Sequence, residues 1–104
     1  MEYKLQNHAD SIEVEFTECE IYERISSHAH EKLFRDLSER GKNITLNFKV
    51  VEVIDSLFIG ALIVLFHKLK SRGFSMRITN LNAPLKDLFD KIKLTEYFKV
   101  PDQA

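Results

Sequence analysis

Much of what would mark an enzyme, a secreted domain or a nucleic-acid binder is missing from this chain. Cys19 is the one cysteine among 104 residues, so an intrachain disulfide is excluded. No signal peptide begins the sequence, and both facts lead to an expectation of a cytoplasmic location. The three glycines, Gly41, Gly60 and Gly73, are far apart, which leaves no glycine-rich loop to cradle a nucleotide phosphate. Tryptophan is absent and proline occurs twice. Formal net charge is −1 and the lysines and arginines are scattered singly, so nucleic acid is not an expected partner. The longest glycine-free apolar run, Ala61 to Phe66, stays too short for a bilayer even when extended back to Leu57. Direct membrane insertion is therefore not expected. His28 and His30, two apart on an expected helix, point to different sides, and His8 and His67 lie elsewhere. That spacing does not suit a shared metal ion. No Gly-x-Ser-x-Gly elbow or catalytic triad is present. The expectation is a protein without metal or cofactor and not an enzyme.

What the chain does have is core. Hydrophobic content of 44%, with eight phenylalanines, suffices for one compact domain spanning residues 1–104. Tyr3 and Leu5 suggest a short strand, with a turn near Asn7 to Asp10. Ile12, Val14 and Phe16 then alternate with Glu13 and Glu15, the pattern of a half-buried strand. Ile25, Ala29, Leu33 and Leu37 recur every four residues, with Phe34 beside them, and predict a helix from about Tyr22 to Arg40 that Gly41 stops. Ile44, Leu46 and Phe48 mark another strand. Val50 to Ile54 lead into Asp55-Ser56, Leu57 to Ser71 form a second helix closed by Gly73, and Gly60 is expected to let that helix approach the sheet closely. Met76 and Ile78 mark a strand. Pro84, with Asn82 or Ala83 near the cap, opens a third helix whose buried stripe is Leu85, Leu88, Phe89 and Ile92. Leu94 to Val100 form a terminal helix, strand or coil. The alternation of strands and helices favours right-handed parallel crossovers. It predicts an α/β domain: a mixed four- to five-stranded sheet with its helices packed on one side.

Asp55-Ser56 is the most informative pair, because it stands where an apolar strand meets an apolar helix. A serine there can cap the helix. It can also carry a phosphate, which the free N–H groups and the dipole of a helix N-terminus favour. Asp55 reads as cap and loop support. Leu57 and Phe58 follow at the helix start, where at least one should face outward and could anchor a partner. Cys19 reads as a half-buried structural thiol.

These residues resemble the STAS domain, in particular the small stand-alone anti-sigma factor antagonists of bacteria. The family's strand and Asp-Ser-(Ser/Thr)-Gly-Leu-Gly motif appears here as Asp55-Ser56-Leu57-Phe58-Ile59-Gly60. Arg72-Gly73, Met76 to Leu81, Leu88-Phe89-Asp90 and Leu94 follow in the family's order. Leu57, Phe58 and Ile59 depart from it, since the family has a small residue, glycine and leucine there. Cys19-Glu20-Ile21-Tyr22 stands for its Gly-x-(Leu/Ile)-Asp. The resemblance implies a STAS-like fold and phosphorylation of Ser56 by a serine kinase that doubles as the anti-sigma factor. It also implies a serine phosphatase that restores the active form. Asp55, Ser56, Leu57, Phe58 and Gly60 would form the partner-binding surface. The resemblance also admits an alternative, a cytoplasmic STAS subunit docked on the ATPase of a lipid-transport ABC system. There Ser56 would be an interface residue only.

Overall fold

The computed structural model describes residues 3–21 and 31–94. Its first strands, β1 (Tyr3–Asn7) and β2 (Ser11–Phe16), form a hairpin. A two-residue strand, β3 (Glu20–Ile21), precedes α1 (Glu31–Glu39), β4 (Asn43–Asn47) and a second two-residue strand, β5 (Val53–Ile54). The chain continues through α2 (Ser56–Ser71), β6 (Met76–Thr79) and α3 (Ala83–Lys91). The start of the first helix expected from Tyr22, with Ile25, Ala29, His28 and His30, lies outside the described residues, as do residues 95–100 of the terminal segment.

The main sheet has the order β1-β2-β4-β6. Only β1 runs antiparallel; β2, β4 and β6 are parallel, as the intervening helices require. Alternation sorts the side chains. Ile12, Val14, Phe16, Ile44, Leu46, Phe48, Met76 and Ile78 are all buried, while Glu13, Glu15, Thr45 and Asn47 stay partly exposed on the opposite face. Leu33, Phe34 and Leu37 of α1, Phe58, Leu62, Leu65 and Leu69 of α2, and Leu85 and Phe89 of α3 complete one continuous core with the first set. The helices therefore cover one side of a mixed sheet, in agreement with the expected fold class.

The punctuation is as the sequence suggests at Gly73 and Asn82. Gly73 has φ +83, and its N–H reaches Lys70 O while Phe74 N–H reaches Leu69 O. This paired closure satisfies carbonyls at the end of α2, and the positive φ favours glycine. Asn82 caps α3 by accepting the Leu85 N–H on its side chain at 2.9 Å. Two expectations are corrected. Ile92 lies at the end of α3 and is 43% exposed, because its position follows the last helical turn. Val50 to Ile54 do not extend the main sheet. Their last two residues pair instead with Glu20 and Ile21 in a separate two-stranded parallel ribbon.

Candidate functional site

The β3–β5 ribbon positions the start of α2. Ile21 and Ile54 lie side by side in register and are both buried, while their neighbours Glu20 and Val53 face outward. Cys19 O accepts from the N–H groups of Glu52 and Val53, and Asp55 N–H donates to Ile21 O. From the other side, the Asn82 side chain that caps α3 also donates to Val51 O at 3.2 Å. The segment before Ser56 is thus held by β3 and by the cap of α3, although it contains only two strand residues.

Asp55 then turns the chain into the helix. Its backbone is extended (φ −97°, ψ 171°), and its Oδ1 accepts the Phe58 N–H at 2.9 Å. Ile59 N–H makes the first helical bond, to Asp55 O. Asp55, not Ser56, is therefore the cap, which separates the two functions the sequence left together. Ser56 is the first helical residue and is exposed. Helix geometry leaves the Ser56 and Leu57 N–H groups without an intrahelical acceptor.

Leu57 and Phe58 are neighbours in sequence and opposites in environment. Phe58 is fully buried. Its ring meets Phe16 edge-on at 5.9 Å and lies 5.9 Å from Phe34 and 6.5 Å from Phe48. Phe58 as a direct partner contact is therefore corrected: about 100° of helical rotation from Leu57 turns it into the core, where it anchors the first turn of α2. Leu57 is 55% exposed. Gly60 is corrected as well. It is exposed, and a Cβ there would meet nothing within 4 Å, so no close approach to the sheet requires glycine. Ser56, Gly60 and Val64 follow at intervals of four along the outer face of α2, with Leu57 and Val64 as its exposed apolar residues. Val53 and Val50 on the approach to the helix are also exposed. Cys19 is exposed rather than half-buried, because its backbone and not its thiol serves the ribbon.

The resulting surface is apolar at Leu57, with the exposed carboxylates Glu20 on the ribbon and Glu52 just before it. Its chemistry suits docking and surface modification. Among the described residues no group of histidines, cysteines and carboxylates could hold a metal ion, and no helix is long and apolar enough to cross a membrane. Replacing Asp55 with alanine is expected to remove the cap and cost about 1 kcal/mol. Urea unfolding would read that loss, and faster amide exchange at Phe58 would localise it to the first turn of α2.

Comparison with known proteins gives three findings. The family model of the STAS domain matches residues 8–103. No curated protein matches the sequence. Among solved structures, an anti-sigma-factor antagonist (STAS) domain protein from Planctomyces limnophilus superposes with a TM-score of 0.82 at 11% identity, covering 98% of this chain and 90% of that one. The Bacillus cell fate determinant SpoIIAA in its phosphorylated form gives a TM-score of 0.71 at 12% identity, with coverage of 98% and 93%. The unphosphorylated anti-sigma factor antagonist SpoIIAA gives 0.74 at 15% identity, with coverage of 98% and 90%. At these identities the likeness establishes a shared fold.

Proposed function

This chain belongs to the STAS domain family, and from that premise we propose that it is a non-enzymatic binding module of the anti-sigma factor antagonist kind, switched by phosphorylation of Ser56. The observation that carries this reading is the division of labour at the start of α2. Asp55 caps the helix and Phe58 pins its first turn, while Ser56 sits exposed between them. A serine in that position can be modified without dismantling the fold. The phosphate would bring about −1.5 to −2 charge beside Asp55. The neighbouring helix N–H groups and the dipole offset part of that charge within the domain. A partner resting on Leu57 has no such compensation and would be repelled. That SpoIIAA, which shares the fold, has been solved in phosphorylated and unphosphorylated forms supports the reading.

In this scheme the unmodified protein binds a serine kinase that also restrains a sigma factor, and so frees the sigma factor. The kinase phosphorylates Ser56 and releases the antagonist, and a serine phosphatase resets it. The cytoplasm is where such partners would be met. Leu57, Gly60 and Val64 form the contact surface with Ser56, and Phe58 supports it from within.

Phosphosite mapping by mass spectrometry on the protein from its native cells, with co-purifying proteins identified in the same run, tests the proposal. The expected result is phosphate on Ser56 in one fraction and a bound serine kinase only in the unmodified fraction. Unmodified Ser56 under all growth conditions, together with a stable transport ATPase, would overturn the switch. It would establish instead a permanent docking subunit of a lipid-transport system, a role the persistently exposed Leu57 and Val64 would also serve.

A further inference from the structure

The outer edge of β1 is an open sheet edge away from Ser56. The strand is at one end of the sheet order, its residues are mostly exposed, and among the described residues nothing pairs with its outer side. His8 N–H donates to Ser11 O at 2.8 Å, one step beyond the pairing of Asn7 with Ile12. In an antiparallel ladder the direction of the backbone groups alternates. Lys4 and Gln6 therefore turn their N–H and C=O groups toward β2, and Tyr3, Leu5 and Asn7 turn theirs outward. These three residues are self-complementary. Two copies of β1 crossing antiparallel with Leu5 opposite Leu5 place Tyr3 opposite Asn7, and every outward group finds a partner. The same register sets Lys4 opposite Gln6, so Lys4 meets no like charge directly across the seam and keeps its in-register neighbour Glu15.

The helix beside this edge supplies charge complementarity. Because β2 and β4 are parallel and β1 is antiparallel to β2, α1 runs in the same direction as β1. The side chains agree: Tyr3 lines a cavity of about 410 Å³ with Lys32, Leu33, Arg35, Asp36 and Glu39, and the Arg40 side chain donates to Asn7 Oδ1 further along. Charge is uneven along that helix. Lys32 lies toward its N-terminal end, Arg35 at its middle and Glu39 at its C-terminal end, and Arg40 is already bound to Asp36 at 2.9 Å. A two-fold axis through Leu5 would run the two α1 helices antiparallel along the seam. It would set the Lys32 end of one copy beside Glu39 of the other, twice over.

We propose that β1 is a homodimerisation edge: a second copy of this chain pairs with it antiparallel through Tyr3, Leu5 and Asn7, and α1 aligns the pair electrostatically. The dimer is one continuous sheet, and it leaves the outer face of α2 free on both copies.

Sedimentation equilibrium on the full chain across the micromolar to millimolar range tests this. A concentration-dependent dimer is expected, and a monomer throughout would overturn the proposal. Leu5→Pro removes one outward N–H without touching the β1–β2 ladder, and should give a monomer with an unchanged circular dichroism spectrum. A dimer that survives this substitution would place the interface elsewhere. Should Leu5→Pro fail to fold, charge reversal decides. K32E and E39K should each weaken self-association about tenfold, and an equimolar mixture should restore it as a heterodimer. A mixture no tighter than either variant alone would overturn the proposed register.

Discussion

Phe58→Ala is expected to cost about 3–5 kcal/mol of folding stability, the largest single-residue effect at the start of α2. The ring is fully buried and within aromatic contact distance of three others, from β2, from α1 and from just past the end of β4. Removing it opens a cavity where those elements meet, and the edge-on contact with Phe16 is lost with it. For a domain whose total stability is on the order of 5–15 kcal/mol, that is a large share. Urea unfolding should show the midpoint falling by about 2 M or more with little change in slope. Leu57→Ala is the control, one residue away. With Leu57 more than half exposed, its truncation should change stability by no more than about 0.5 kcal/mol. Equal losses at the two positions would contradict the placement of both side chains. The contrast matters for the proposed function, because it distinguishes the residue that holds the start of α2 in place from one that would belong to the proposed docking surface.

Long, strongly patterned segments were legible in the sequence. The alternation through Ile12 to Phe16 and Ile44 to Phe48 fixes which face of the sheet is buried, and Gly73 and Asn82 close and open helices where expected. The β3–β5 ribbon escaped because each strand has two residues, too few for any period to emerge. Its only sequence trace is a buried isoleucine at the end of each, Ile21 and Ile54. The bond from Asn82 to Val51 joins residues 31 apart in the chain, and no local pattern reports such a contact. Leu57 and Phe58 illustrate a different limit. The apolar start of α2 offers nearly every side as a candidate core face, so composition does not say which residue turns inward. The cluster of Phe16, Phe34 and Phe48 decides it, and that cluster exists only after three elements have packed. Gly60 followed from the same ambiguity. With no stripe to orient the helix, a glycine within it reads as a packing point, and the structure puts it outside instead.

Under the proposed switch, Ser56→Asp should weaken binding of the proposed kinase partner by about tenfold to a hundredfold while leaving the fold intact, and Ser56→Ala should bind normally and resist phosphorylation. The reasoning rests on where each carboxylate sits. Asp55 is engaged, with Oδ1 on the Phe58 N–H, so a new carboxylate at 56 does not have to compete for the cap. At the first helical position it meets the positive end of the dipole, which offsets part of its repulsion by Asp55. Thermal unfolding should accordingly shift by no more than a few degrees. The partner sees the opposite balance. A charge brought under a docked surface must be desolvated next to Asp55, and an uncompensated interfacial charge costs about 1–3 kcal/mol, which sets the expected loss of affinity. Titration calorimetry against the co-purified kinase, with both variants and the wild type, reads all of this. Undiminished binding by Ser56→Asp would rule out repulsion as the switch. Equal losses in Ser56→Asp and Ser56→Ala would mean that the hydroxyl itself is the contact, and Ser56 would then be a docking residue and not a regulated one.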